Sequence, residues 1–275
     1  MRLIQLLNTP NFLDKDNAEQ ELLHAAIEAG PAAVPELRNM LQRSNDDEQK
    51  SLVFGALTLV GGSEAVSILR KEYENGNAEA GVALAFAMAS VDSKENRETL
   101  TRLLTKDPED EHEIIVGAAY SLGLFRANEA VPRLRTLAQG SANRDTTDVA
   151  KLALQWIEKG FWTVRSQPND DRQRILAAVL KVGIPDENYE YFFDETGGGF
   201  WRNSPMGWTF YSGKPQVQFA SGPEVDDIFL SSDDSRAFVS LSVHCGLRCG
   251  AGYGYSLRKD GRDWKVQMLM ILWIA

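Results

Sequence analysis

Three six-residue segments of the chain align without gaps: Ala33-Val-Pro-Glu-Leu-Arg38, Ala65-Val-Ser-Ile-Leu-Arg70 and Ala130-Val-Pro-Arg-Leu-Arg135. The first two lie 32 residues apart, and the third begins 65 residues after the second, which leaves room for one more copy. Arg97-Glu-Thr-Leu-Thr-Arg102 stands at that place and keeps the final arginine in register. Self-similarity at such a period is typical of a solenoid, whose units bury their apolar faces on one another.

Each copy follows a segment with the periodicity of a helix. These preceding segments span residues 17–29, 47–60, 78–90 and 112–125, and a fifth spans 146–158. Glycine and proline at Gly30-Pro31, and two glycines at Gly61-Gly62, separate the first helix of a pair from the second, as expected for a C-cap followed by a new helix start. The pattern predicts an all-α domain over residues 1–160, with four helix pairs plus a fifth first helix.

The segments AVPELR and AVPRLR, with Gly117-Ala-Ala-Tyr-Ser-Leu-Gly-Leu124, resemble the short HEAT repeats of bilin-lyase-type proteins. The resemblance covers about residues 14–159 and implies a HEAT-like α-solenoid with a curved binding surface. That group contains bilin attachment factors and many adaptors. The resemblance therefore also suggests a role in tetrapyrrole handling, although no residue of the sequence itself indicates one. The signatures of tetratricopeptide and ankyrin repeats are absent from the sequence.

Composition limits the function further. The net charge is −10, and the first 160 residues contain 17 Lys and Arg against 25 Asp and Glu. A nucleic-acid binder needs a basic surface, so we expect no nucleic-acid partner. The N-terminal apolar stretch is too short for a signal peptide, and no apolar run approaches the ~20 residues of a membrane span. We therefore expect a cytoplasmic protein with no membrane partner.

The last 115 residues contain 18 of the 25 aromatic residues, an enrichment typical of strands. Capping residues at 168–171, before an apolar helical pattern that ends at Gly183, predict one helix. Strand patterns follow at Pro215–Ser221, at Val225–Ser231 and in three later segments. We therefore predict a second, α+β domain over residues 161–275, with one helix and about five antiparallel strands in a curved sheet.

The sequence of the last three strands predicts how they pair with one another. Asp260-Gly261 is a favourable two-residue hairpin turn, which pairs Leu257 with Trp264. The same parity carried backwards pairs Val239 with Tyr255. The other expected pairs are Tyr255 with Val266, Tyr253 with Met268, Leu241 with Tyr253, Val243 with Ala251, and Cys245 with Cys249.

In this register the final strand is apolar on both faces. One set of residues faces the helix-covered core: Trp264, Val266, Met268, Met270, Leu272 and Ile274. The other set, Leu269, Ile271 and Trp273, faces outward and needs a cover, because exposing large apolar side chains forfeits about 1.5–3 kcal/mol each. We expect the cover to be the last solenoid helices, near Leu154, Ile157 and Trp162, or a second copy of the chain in a homodimer.

A helix with a curved antiparallel sheet resembles the cystatin/NTF2-like folds. The segment His244-Cys-Gly-Leu-Arg-Cys-Gly250, with Trp264-Lys-Val266 and Trp273, is similar to uncharacterised small bacterial domains. This resemblance implies no activity.

Catalytic motifs are absent from the sequence: there is no HExxH, GxSxG, P-loop or helix-opening GxGxxG. We expect no catalytic residue, no cofactor and no metal. Cys245 and Cys249 are interpreted as buried free thiols, with a cross-strand disulfide and a metal site with His244 as alternatives. Gly197-Gly198-Gly199 is interpreted as a loop.

Aromatic residues cluster between positions 189 and 211. Trp201, Trp208 and Tyr211 are candidates for the lining of a ligand pocket, since such pockets are mostly apolar. The alternative is that they belong to the core.

The most specific candidate site is the final arginine of each copy: Arg38, Arg70, Arg102 and Arg135, which we call the arginine row. In HEAT-like solenoids the second helices line the groove, so these guanidinium groups would meet an anionic partner such as an acidic peptide segment. The alternative is structural: each arginine lays its stem on apolar surface and pairs with an acid of a neighbouring repeat.

These observations predict a non-enzymatic protein-binding adaptor that uses the solenoid groove. Two other classes remain open. One is a small-molecule carrier, for instance of a tetrapyrrole, or an enzyme, with a pocket in the second domain. The other is an acidic immunity-type inhibitor of a basic partner, which net charge alone does not separate from the adaptor.

Overall fold

The fold was analysed in a computed structural model of the chain. It describes residues 2–9, 18–107, 109–140, 143–161, 170–182, 190–193, 199–204, 207–212, 223–246 and 249–274. Within these residues a helical region is followed by strands, which confirms the predicted order of an all-helical part and an antiparallel sheet.

The helices of the first part come in alternating order. A short α1 spans Arg2–Leu7. The first helices of the pairs, with the last unpaired one, are α2 (Ala18–Ala29), α4 (Asp47–Val60), α6 (Ala78–Ala87), α8 (His112–Leu124) and α10 (Arg144–Glu158). The second helices are α3 (Val34–Arg43), α5 (Gly62–Glu74), α7 (Lys94–Leu103) and α9 (Val131–Gly140). Short 3-10 turns at Gly30–Ala33, Met88–Ser90 and Asn128–Ala130 lie between the members of three pairs. These bounds agree with the predicted helical segments to within a few residues.

Side-chain caps explain several of the helix starts. The Asn77 carboxamide accepts a hydrogen bond from Ala80 N at 3.0 Å, and Ser93 Oγ accepts one from Asn96 N at 3.1 Å. Asn143 caps α10 in the same way, through Thr146 N at 3.1 Å. Each cap satisfies an amide that has no partner within its helix.

Consecutive first helices pack side by side, from α2 on α4 through to α8 on α10. The central helix α8 is buried on every side from Ile114 to Gly123. Close approach requires glycine here: a Cβ atom added at Gly123 would lie 2.6 Å from Trp156 Cε3 of α10. The alternation of large and small residues along α8 therefore sets how closely the first helices pack.

Two antiparallel sheets follow the helical region. A three-stranded sheet contains β1 (Glu190–Phe193), β2 (Gly199–Ser204) and β3 (Gly207–Ser212). A four-stranded sheet contains β4 (Pro223–Leu230), β5 (Arg236–Gly246), β6 (Cys249–Asp260) and β7 (Asp263–Ile274), in that order. The predicted helix is α11 (Asp171–Val182), which Asp170 caps through Gln173 N at 2.8 Å. The first sheet was not predicted, and Gly199, expected in a loop, begins β2. The predicted strand at 215–221 lies outside the described residues.

The register of β5 on β6 is confirmed at three predicted pairs, Val239 with Tyr255, Leu241 with Tyr253 and Val243 with Ala251. Beyond them the prediction is wrong, because a bulge between His244 and Gly246 pairs Cys249 with Gly246 and not with Cys245. A bulge adds one residue to one strand, so every pair beyond it shifts.

The predicted register of β6 on β7 is wrong. The turn is Gly261-Arg262, which pairs Leu257 with Val266 instead of Trp264. A bulge between Ser256 and Leu257 then pairs Tyr255 with Leu269 and Tyr253 with Ile271. Leu269 and Ile271 therefore occupy positions on the same face as the β6 tyrosines, whereas Met268 and Met270 occupy positions on the other face.

Both faces of the four-stranded sheet are covered. The face with Phe229 and Met268 lies against the first helices: β5 contacts α2, and β7 contacts α6, α8 and the 88–90 turn. The face with Tyr255 and Leu269 lies against α11, where Lys259 Nζ donates to Asp171 Oδ2 at 2.7 Å. The expectation that β7 needs a second cover is confirmed, but α6 and α8 provide it. The predicted assignment of the two faces is wrong, because Leu269 lies on the face that packs against α11 and Met268 lies on the face that packs against the first helices.

A polar contact fixes the other end of the sheet to α2. Arg236 Nη2 donates to the Glu28 carbonyl oxygen at 2.9 Å, and Ser232 N donates to the Glu28 carboxylate at 2.8 Å. The His24 ring stacks on Phe229, with centroids 4.2 Å apart, and contacts the Asp227 carboxylate. Buried residues of the helices and of the sheet form one continuous apolar core. The division into two domains, residues 1–160 and 161–275, stays a prediction.

Candidate functional site

Three members of the arginine row make ion pairs with the next unit along the chain. Arg38 on α3 donates to Glu64 of α5, with Nη2 and Oε1 2.7 Å apart. Arg70 on α5 contacts the carboxylate of Glu95 on α7 and donates to Asn96 Oδ1 at 2.9 Å. Arg135 on α9 donates to Glu158 of α10 at 2.8 Å. These contacts are those of the structural alternative, in which each arginine links its own unit to the following one.

The ion pairs of the row are partly exposed. The Arg38 side chain is 44% exposed and its partner Glu64 is 50% exposed. Ion pairs in such surroundings stabilise by only about 0–1 kcal/mol each, because water and salt screen the charges. The paired arginines therefore contribute little to the stability of the fold.

The third unit, α6 with α7, departs from this pattern. Arg97 stands where the other copies have Ala33, Ala65 and Ala130, each completely buried. The Arg97 guanidinium donates twice to Asp92, at 2.6 and 2.8 Å, and once to the Phe125 carbonyl oxygen at 3.2 Å. The hydrogen bond to Asp92, and to a smaller extent the charge of Glu129, raise the pKa of Arg97 above its usual value.

Glu129 occupies the position in the fourth copy that Glu64 occupies in the second. By this alignment it is the residue expected to pair with Arg102. It lies instead 3.8 Å from Arg97 Nη1. Arg102 is exposed on α7 and forms no ion pair among the residues that the structure describes.

A cavity of about 560 Å³ opens to solvent at the same place. It lies between α7 and the turn that precedes α9, and we call it the α7 groove. Its lining residues are Lys94, Arg97, Glu98, Thr101 and Glu129. Arg102 is not itself one of these lining residues, but it directly follows Thr101 and lies one helical turn after Glu98, which places it beside the groove.

The three candidate pocket residues lie in the three-stranded sheet. Trp201 pairs with Phe210, and Trp208 pairs with Asn203, positions that share one face of the sheet. Tyr211 pairs with Phe200, at a position of the other face. The backbone register therefore does not bring all three residues to one face.

The three interpretations of Cys245 and Cys249 stay predictions, since the structure describes the backbone of these residues and not their side chains. Within the described parts of the chain, no group of three or more His, Cys, Asp and Glu side chains is arranged to hold a metal ion. None of the described helices is long and apolar enough to cross a membrane.

Comparison with known proteins gives no family. No family model matches the chain, and neither curated proteins nor solved structures give a significant match to it.

Sequence reasoning found the arginine row but missed the residues that pair with it. The alignment of the copies carried the missing signal: Glu64 and Glu129 precede the same alanine position, and Arg97 replaces that alanine in the third copy. A charged residue at a position that is otherwise a buried alanine indicates a local change of packing. The contact of α2 with the β4–β5 turn has no comparable signal, because its residues are about 200 positions apart.

Proposed function

We propose that the protein is a non-enzymatic, cytoplasmic protein-binding adaptor, whose helix pairs form a HEAT-like solenoid and whose second helices present the binding surface. The observation that carries the proposal is the placement of the sheet. In the described part of the chain, the four-stranded sheet has its main helical contacts with α2, α6, α8 and α11. Among the described residues the second helices are not part of these main contacts, which supports a partner-binding role for their outer surface.

The chemistry of that surface favours a protein partner. The exposed positions of α5, and all exposed positions of α9 except Pro132 and Gly140, are polar or charged. The α7 groove combines two cationic and two carboxylate side chains. A surface of mixed charge with a shallow groove fits a polypeptide, which offers both charges and backbone amides, better than it fits an enclosed small molecule.

The test is photocrosslinking from defined positions of the full chain in cells. A photoreactive amino acid at Ser67 of α5 or at Thr136 of α9, both exposed, should give an adduct with another protein. The matched control carries it at Arg262, which is exposed in the β6–β7 turn. Adducts from Arg262 alone would indicate that the partner binds at the sheet. If neither helix position gives a protein adduct, the proposal is wrong.

A further inference from the structure

The third unit breaks a contact that the other units make, and we propose that Arg102 and the α7 groove are the recognition site for a carboxylate of an acidic segment in a partner protein. This inference rests on the proposed function and deepens it, because it names the chemistry of the partner and the residue that reads it.

The first step is the precedent within the chain. Arg38, Arg70 and Arg135 are aligned with Arg102, and each binds the carboxylate of a glutamate from the following unit. Three independent copies therefore show what this position binds when a carboxylate is within reach. The geometry suits guanidinium, which presents its donors in a planar fork.

The second step is the reason why Arg102 lacks this contact. The expected glutamate, Glu129, is drawn to Arg97, an arginine that the other units do not have at that position. Arg97 is itself held by Asp92 and by the Phe125 carbonyl oxygen, so it does not compete for an incoming acid. Among the described residues, Arg102 is therefore the member of the arginine row that makes no ion pair, whereas Arg38, Arg70 and Arg135 each keep theirs.

The third step is the space beside it. The α7 groove is bounded by the same residues that cause the departure, Arg97 and Glu129, and by the α7 residues Glu98 and Thr101 next to Arg102. A partner carboxylate on Arg102 would take the place that a glutamate of the next unit takes elsewhere, and the flanking partner residues would lie in the groove. Lys94, at the other end of the lining, adds a further cation, whose Nζ lies 3.8 Å from the carboxylate of Glu98.

The experiment measures fluorescence anisotropy of two labelled ten-residue peptides with the full chain at about 50 mM salt, where screening is weak. One peptide alternates glutamate with alanine and leucine, and the other has glutamine in place of each glutamate. We expect the glutamate peptide to bind and the glutamine peptide to bind at least about tenfold less tightly.

Three variants locate the site. Arg102→Glu should weaken binding of the glutamate peptide by about tenfold or more, while Arg102→Lys should keep part of it. Asn128→Glu places a carboxylate at the position aligned with Glu95, the partner of Arg70, and should block the peptide by restoring the missing internal pair. The matched control, Arg38→Glu, breaks an existing pair and should change peptide affinity by less than about threefold.

Equal binding of the two peptides, no binding of the glutamate peptide up to about 1 mM, or full binding by Arg102→Glu would each overturn the inference. The adaptor proposal has a separate outcome. If the Arg102→Glu variant still gives protein adducts from Ser67 and Thr136, the adaptor proposal is supported. Arg102 would then not be the residue that recognises the partner's carboxylate.

Discussion

The two sides of the helical region are built from different interactions. On the first-helix side, apolar side chains are buried against the four-stranded sheet, and β7 adds Met268 at 2% exposure. On the second-helix side, partly exposed arginines pair with glutamates of the next unit. Full burial of a large apolar side chain stabilises by about 1.5–3 kcal/mol, whereas an exposed ion pair contributes about 0–1 kcal/mol. The comparison teaches that the strongly stabilising contacts lie on the side of the first helices, whereas the side of the second helices has weaker, partly exposed ion pairs.

The strongest way to break this comparison is to remove apolar volume from β7. Leu269→Ala and Met268→Ala should each lower the free energy of unfolding by about 2–5 kcal/mol, because the two positions lie on opposite faces and both are buried. Urea unfolding at two protein concentrations is the measurement. The loss should be the same at both concentrations, since the covering helices belong to the same chain.

The matched control is Arg262→Ala in the exposed β6–β7 turn, which should change the free energy of unfolding by less than about 0.5 kcal/mol. A small loss for Leu269→Ala would show that only one face of β7 is covered. A loss that grows on dilution would show that a second copy of the chain provides the cover.

The sheet also shows where sequence reasoning stops. Alternation of apolar residues predicted the existence of β4 to β7 and the pairing of Val239 with Tyr255. It did not predict the bulges after Ser256 and His244, because alternation describes regular strands only, and one extra residue exchanges the two faces. Helices gave no such error, since their contacts are local and their periodicity tolerates small shifts in the bounds.

A substitution at Gly30 should break the polar contact between the sheet and the end of α2. Its φ is +52°, and a Cβ atom added there would overlap the guanidinium of Arg236. Gly30→Ala should lower the free energy of unfolding by about 2–4 kcal/mol, from backbone strain of about 1–2 kcal/mol and from displacement of Arg236 off the Glu28 carbonyl. Thermal and urea unfolding of the full chain measure it.

Gly76→Ala is the control for strain alone, because Gly76 has φ +93° and nothing lies within 4 Å of an added Cβ. The cost of Gly30→Ala should exceed that of Gly76→Ala, and Arg236→Ala should cost less in the Gly30→Ala background than in the wild type. Equal costs for the two glycines would mean that the contact of Arg236 with α2 does not hold the sheet in place.

The candidate site was predictable in part for the same reason as the helices. The arginine row follows from the period of the copies, but pairing with Glu64, Glu95 and Glu158 depends on which rotamers reach across units. The change at Arg97 required both kinds of information. The alignment shows that arginine replaces alanine in the third copy, and the structure shows that Glu129 lies beside this arginine. Spacing alone therefore located the residues and left their free or paired state open.

The smallest effect sharpens the comparison, because it concerns an ion pair beside apolar contacts, on the face of the four-stranded sheet that packs against α11. Lys259 of β6 and Asp171 of α11 are 2.7 Å apart, and their side chains are 27% and 30% exposed. The hydrogen bond from Lys259 is the main reason why the pKa of Asp171 lies below its usual value, with a smaller contribution from Arg174. An unfolded aspartate has a pKa of about 3.9, so the stabilisation is complete above that value and is lost as the pH falls through the lower folded pKa.

Asp171→Asn should therefore lower the free energy of unfolding at pH 7 by up to about 1 kcal/mol, and the difference from the wild type should shrink as the pH falls below about 4. Urea unfolding of both proteins between pH 7 and the lowest pH at which they fold measures this. Glu36→Gln, at an exposed position of α3, is the control and should show no such trend. A difference that stays constant with pH would mean that Asp171 acts through packing at the start of α11 and not through its ion pair with Lys259.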